Sequence, residues 1–406
     1  MPILTKVYFV PLMLLTAYSL TSQANENKKQ EIWQKQLSAA AIVELKQSGT
    51  ASLQIAVGYK NKIIFSDAYG LADIENNILA TPQTKYRIAS ISKWFTSSAT
   101  MSLIETGALD LNAPIQKYCP KYPLKLNVIT TKQLLTHTSG IRHYADYNAL
   151  LSRASSDDER TKIERKRFID QLGRYTRYTE VITPLNNFKE DPLLFKPGTN
   201  WKYTSYGFRT LACVLQGAAK KPYREIMEDL IFTPLAMNNT VDDDAWAIIP
   251  HRASGYRLNK NKKLRRANMR DVSENLPAGG HLSTATDLIL FAQAFNNNQL
   301  ISEKTKSLMI SPYSKNEMNS AHIPSWRDAI PSKYNYGMGV MLFPNDEQSW
   351  FGHTGQQAGS SSIVFVIPEH DISIAVLTNI KGWRGYMSFT REIASILVNA
   401  SAEGDL

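Results

Sequence analysis

The pattern of apolar and polar positions divides the chain into segments of different period. Lys6 precedes a charge-free apolar run, Val7 to Leu20, that ends in Ser22-Gln23-Ala24, small residues spaced as a signal peptidase reads them. The run is short for a membrane span. Residues 1–24 are therefore expected to be a signal peptide removed before Asn25, with an uncleaved anchor as the alternative. Residues 25–48 look helical and polar. Ser52 to Val57 alternates as a strand, Tyr59-Lys60-Asn61-Lys62 is turn-like, and Ile63 to Tyr69 is a second strand, which together predict a hairpin. Ser92 to Glu105 reads as a helix ending near Gly107, apolar enough to be buried.

Beyond Gly107 good strands are scarce. Thr130 to Leu135 suits a short helix, Asp157 to Leu172 a charged amphipathic one, and Tyr206 to Ala219 an apolar one. Thr183 to Trp201 is a loop rich in Pro, Asn and Gly. From residue 271 onward α/β character returns. Ser283 or Thr284 is placed to cap a helix running to Phe295. Tyr336 to Phe343, Gly359 to Ile367 and Ile372 to Asn379 read as strands, Pro368 to Asp371 as a turn, and Tyr386 to Ala400 as a closing helix. Strands at both chain ends predict an α/β fold with one antiparallel sheet built from about residues 25–107 and 271–406 and flanked by helices. Residues 108–270 form a mostly helical second subdomain in this reading.

Composition adds bounds. A chain of 406 residues with 43% apolar and 20% charged side chains can bury a real core. The net charge is +10, or +9 once Lys6 is removed, because no other charged side chain lies in residues 1–24. That balance suits anionic cell-wall polymers or a membrane surface. No nucleic-acid motif is present, and the densest basic cluster, Lys260 to Arg266 with Arg270 beyond it, reads as a solvated loop. There are two cysteines, Cys119 and Cys213. An exported chain can join them, but the apolar run Leu211 to Leu215 suits a free buried thiol equally well, and both readings stay open.

Candidate chemistry starts at Ser90-Ile91-Ser92-Lys93. Residues three apart share a helical face, so Lys93 can stand beside the Ser90 hydroxyl and take its proton. The helix N-terminus offers free N–H groups to a developing oxyanion. Alone the motif is weak, since a capping serine and a surface lysine give the same spacing. A second feature, Phe195 to Gly207, is an aromatic loop entered through Pro197-Gly198, and its Tyr203 phenol is suited to carry protons near a lysine. A third, Trp350 to Gln356, is read as an edge strand able to hydrogen-bond an extended substrate. There His353 and Thr354 bind or orient a polar group, and Gly355 permits close backbone approach.

In that order the three features resemble the motifs of the penicillin-recognising serine hydrolases: Ser-x-x-Lys, Tyr-x-Asn or its Ser/Thr variant, and Lys/His-Thr-Gly. Leu134 to Ile141 and Pro277 to Thr284, leading to Asp287, resemble segments of the class C beta-lactamase-related family. The variants Ser-Ile-Ser-Lys, Tyr-Thr-Ser and His-Thr-Gly are most similar to its mitochondrial serine beta-lactamase-like branch and bacterial relatives. The resemblance spans about residues 40–400 and implies the beta-lactamase/transpeptidase-like fold.

It also implies roles. Ser90 would form the acyl-enzyme, Lys93 and Tyr203 would shuttle its proton, and Ser205 would touch Lys93 or substrate. The backbone N–H groups of Ser90 and Gln356 would make the oxyanion hole. No metal or organic cofactor is implied, and His137, His143, His251 and His281 lack ligand spacing. His353 replaces the usual Lys and Ser205 the usual Asn, which weakens a fixed charge at a carboxylate subsite and removes an amide donor. Both changes favour an exported peptidase, amidase or esterase over an efficient beta-lactamase. A non-catalytic peptide-binding or filament-forming protein is the reading from another class.

Overall fold

The computed structural model describes residues 32–145, 147–259, 261, 263–314, 318–319, 333–343, 349–383 and 385–406. The expected signal peptide lies outside them. Among the described residues nine strands form one sheet: β1 (Ser52–Tyr59), β2 (Lys62–Asp73), β3 (Ile78–Leu79), β4 (Met318–Asn319), β5 (Lys333–Tyr336), β6 (Met341–Phe343), β7 (Trp350–Gln357), β8 (Ser360–Ile367) and β9 (Ile372–Thr378). Their order is β3-β2-β1-β9-β8-β7-β6-β5-β4, and every neighbouring pair is antiparallel. The chain ends meet at the sheet centre, where Ile55 of β1 sits opposite Val376 of β9.

The two-residue period assigns each face of the sheet to its own core. Ile363, Phe365 and Ile367 of β8 and Ile372, Ile374 and Val376 of β9 pack against α1 (32–48) and α5 (Tyr386–Ala402), through Trp33, Leu37, Phe389, Ile393 and Leu397. Val364, Val366, Ala375 and Leu377 face the other way. That second core takes in α2 (Ser92–Glu105), α3 (Ser205–Ala219) and α4 (Ala285–Asn296). The result is a beta-lactamase/transpeptidase-like sheet with helices on both sides.

Helix α2 is buried nearly all round, which its mixture of small and apolar residues allows. Trp94 anchors it, meeting Phe291 and Phe295 of α4 and Phe351 of β7 edge-on at centroid distances of 5.0, 5.0 and 6.0 Å. Thr284 caps α4 by accepting from the Asp287 N–H. Cys119 and Cys213 are joined in a disulfide.

Three local expectations change. Tyr336 to Phe343 is not one strand. A turn separates β5 from β6, closed by the Gly337 N–H to the Val340 carbonyl at 2.8 Å, and Gly339 takes φ +75° where it meets Ser97 of α2. The edge strand is shorter than expected: β6 covers Trp350, Phe351 and Gly352, whereas His353 to Gln357 pair with β8 alone among the described residues. The basic cluster is not all loop, because Leu264–Arg266 pairs with Tyr256–Leu258, and Ile380–Lys381 joins them to make a small sheet.

Candidate active site

Ser90 lies in the turn Ala89–Ile91 that leads directly into α2. Ala89 is held at φ +48°, an uncommon conformation for a residue with a Cβ. The turn is pinned from both sides: the Ile88 N–H donates to the His281 carbonyl at 3.1 Å, and the Ser362 hydroxyl donates to the Ile88 carbonyl at 2.8 Å. One helical turn on, Lys93 Nζ stands 3.1 Å from Ser90 Oγ and donates to the Ala278 carbonyl at 2.7 Å. Lys93 is completely buried. Burial pushes its pKa well below the ordinary lysine value, and the Arg209 charge adds to the shift.

Tyr203 closes the group. Its ring lies 4.9 Å from Lys93 Nζ, and its hydroxyl interacts with Ser90. Burial raises the phenol pKa, and the Ser90 contact only partly opposes this. Tyr203 is thus a protonated phenol in contact with the serine, beside an amine biased towards its neutral form.

Helix α3 begins at Ser205, and its first three N–H groups are all satisfied. The Tyr206 and Gly207 N–H groups donate to Thr204 Oγ1 at 3.1 and 3.3 Å, and the Ser205 N–H donates to His143 Nδ1 at 3.0 Å. The Thr204 N–H donates to His137 Nδ1 at 3.2 Å. A backbone N–H can only donate, so both imidazoles are neutral and carry their proton on Nε2. Burial pushes both pKa values well down, and Lys93 reinforces the shift. Ser205, Arg209 and Cys213 repeat every four residues and share one face of α3. Arg209 is fully buried and paired with Glu274 at 3.2 Å.

The third motif behaves differently from its expectation. His353 is wholly buried. Its Nδ1 is 2.6 Å from the Thr354 carbonyl and its Nε2 is 3.0 Å from the Tyr336 hydroxyl. The carbonyl only accepts, so Nδ1 carries the proton and Nε2 accepts from Tyr336. Burial lowers its pKa to about 3. Thr354 is also buried, its hydroxyl turned to the Met341 sulfur at 3.5 Å. Gly355 lies against the Ile88 carbonyl, where a Cβ would collide. The contact expected between Ser205 and Lys93 is not among the hydrogen bonds of Lys93, which run to Ser90 and Ala278.

A cleft of about 340 Å³ opens over this group. Ser90, Tyr203, Ser205 and Gln356 line it; Lys93, His353, Thr354 and Gly355 are not among its lining residues. Among the described residues no cluster of metal ligands is found.

A beta-lactamase family model matches residues 35–396. The chain belongs to that family. It is 30% identical over 421 residues to the human mitochondrial serine beta-lactamase-like protein LACTB, covering 88% of this chain and 74% of that one. Among solved structures it is similar to EstCE1, a hydrolase with promiscuous acyltransferase activity (TM-score 0.70, 16% identity, 91% of this chain and 99% of the other). It is also similar to the D-amino acid amidase of Ochrobactrum anthropi SV3 (TM-score 0.68, 18% identity, 90% and 99%). At these identities the two structures speak for the fold.

Sequence reasoning missed several residues of this beta-lactamase-family site. Tyr336 reads as a strand residue, and nothing local marks His143 as the acceptor of the Ser205 N–H. Arg174, Arg270 and Lys381 line the cleft with no motif to mark them. Ala278 stood in a segment noted for resemblance alone, whereas its carbonyl holds Lys93.

Proposed function

We propose that the protein is a serine hydrolase that cleaves amide or ester bonds through a Ser90 acyl-enzyme. The observation that carries this reading is the buried Lys93 amine, 3.1 Å from Ser90 Oγ and biased towards its neutral form. In the first step Ser90 Oγ bonds to the substrate carbonyl carbon as Lys93 takes its proton. The oxygen that becomes negative is met by the backbone N–H groups of Ser90 and Gln356. Tyr203, a phenol at neutral pH, protonates the leaving nitrogen or oxygen as its bond to carbon breaks. Water then attacks the ester, the proton relay runs in reverse, and Ser90 regains its proton.

His353 is neutral and buried, so the third motif supplies no charge to hold a penicillin carboxylate. This favours peptidase, amidase or esterase substrates over rapid beta-lactam turnover. The apolar run ending at Ala24 and the Cys119–Cys213 bridge support an exported protein in an oxidising compartment. Its basic balance suits a cell-wall or membrane surface.

A fluorophosphonate probe tests the nucleophile. Wild type is expected to label and to turn over a nitrophenyl ester, and Ser90→Ala to do neither while staying folded. Persistent labelling of Ser90→Ala moves the nucleophile elsewhere. Fast turnover of a cephalosporin overturns the substrate preference.

A further inference from the structure

Three cations line the Ser90 cleft, namely Arg174, Arg270 and Lys381, and no carboxylate among the described residues lines it. Glu274 reaches Arg270 at 3.1 Å, but the same carboxylate also serves Arg209 at 3.2 Å. One anion is therefore shared between two guanidinium groups. Arg174 and Lys381 make no ion pair among the described residues. Lys381 is pushed below its ordinary pKa, first by burial and then by the charges of Arg270, Arg174 and Arg257. The charges come from three separate segments of the chain, so they are not one solvated run.

Two further donors at the cleft are unused. Gln357 lines it, is 8% exposed, and its amide nitrogen is buried without a hydrogen-bond partner. Arg270 Nε is buried and unpartnered as well. Buried donors left without acceptors are costly, and such groups are commonly matched by a ligand. A carboxylate fits this set, because it is acceptor-only, accepts the planar fork of arginine in pairs, and relieves the repulsion among the cations.

We propose that Arg174, Arg270, Lys381 and the Gln357 amide form an anion subsite beside Ser90, so that the preferred substrates are amides or esters bearing a carboxylate. The inference rests on the serine-hydrolase reading and names the substrate class of that same site. All four residues lie outside the three motifs. The subsite selects the substrate and takes no part in bond making.

The test compares the para-nitrophenyl monoester of glutaric acid with its methyl ester, which differ by one charge. The burst of nitrophenolate that accompanies Ser90 acylation is measured, with Ser90→Ala as the blank. Wild type is expected to favour the anionic ester by about tenfold or more in kcat/KM, the scale of one charge-assisted hydrogen bond. The preference should shrink with added salt. The double variant Arg174→Gln/Lys381→Gln is expected to bring the ratio of the two esters towards one, and Arg174→Lys to retain part of the preference. A wild-type ratio near one, or a ratio untouched by the double variant, overturns the subsite. If fluorophosphonate labels Ser90 but neither ester acylates it, the subsite alone is overturned. If the probe does not label Ser90 either, the hydrolase reading falls and takes the subsite with it.

Discussion

The Tyr336 hydroxyl donates to Nε2 of His353 across 3.0 Å, with both rings fully buried. This bond holds the histidine of the third motif in one neutral tautomer. Tyr336→Phe leaves Nε2 as a buried acceptor without a donor, which costs about 1–3 kcal/mol. The expected result is a lower urea midpoint at unchanged slope. An unaltered midpoint would show that the pair contributes nothing to the fold.

The same burial makes stability depend on acid. His353 titrates at about 3 and His281 at about 4 in the folded chain, both below the ordinary value of 6.5. Between those limits the unfolded chain binds protons that the native state excludes. The contribution is fully present above about pH 6.5 and falls as pH drops, by of order 1 kcal/mol per pH unit for each histidine. Urea unfolding at pH 7.5 and pH 5 should show this loss, with a shallower dependence in His353→Gln. Equal stability at both pH values would contradict it.

Lys93 leads to a sharper expectation. The neutral amine is the competent base, so acylation should fall as pH drops through the lowered pKa of Lys93. Lys93→Arg replaces the neutral amine with a guanidinium that cannot lose its proton, and labelling should slow about 10²–10⁴-fold. An acidic limb near the free-lysine value in the wild-type profile would mean the lysine rests charged.

Tyr203→Phe removes the hydroxyl beside Ser90 and keeps the ring. Because burial holds the phenol protonated, its loss should slow leaving-group departure by about 10²-fold or more. The penalty should be greater for an anilide, whose nitrogen must be protonated, than for a nitrophenyl ester. Equal penalties on both substrates would remove Tyr203 from that step.

Much of this was legible in the sequence because the signals are local. The i, i+3 spacing of Ser90 and Lys93 needs only a helical start, and the short apolar runs Ile363 to Ile367 and Ile372 to Leu377 need only strands buried on both faces. Ser205, by contrast, heads α3 with its N–H accepted by His143 Nδ1, 62 residues away. The burial of His353 is not legible because a motif states residue order and not exposure: its ring is wholly buried, where the Tyr336 hydroxyl meets it. The cations of the cleft come from three distant segments, and no local pattern could gather them.

The Cys119–Cys213 bridge closes a loop of sequence separation 94 and ties the buried face of α3, which also carries Ser205 and Arg209, to the preceding loop. Removing it is expected to cost about 2–5 kcal/mol. Thermal unfolding should show a lower midpoint for the double variant Cys119→Ala/Cys213→Ala. Dithiothreitol should lower that of wild type and leave the variant unmoved. A wild-type midpoint insensitive to reductant would mean that the bridge does not stabilise the fold.

Gly355 separates position from stability most cleanly. Its Cα faces the Ile88 carbonyl, and a Cβ there would strike that oxygen and the Ser362 hydroxyl, which itself holds the Ile88 carbonyl. Ile88 begins the turn that presents Ser90, and Ala89 already sits at φ +48°. In Gly355→Ala either β7 backs away from the turn or the turn shifts. Either outcome displaces Ser90 relative to the Gln356 N–H, one residue beyond the substitution, and a shifted turn also moves Ser90 against Lys93. A misplacement of about 1 Å can cost 10²-fold in rate. The variant is therefore expected to fold and bind substrate with modest change in KM while kcat drops about 10²-fold. Wild-type kcat in a folded Gly355→Ala protein would show that the approach of β7 to the Ser90 turn is not what sets the rate.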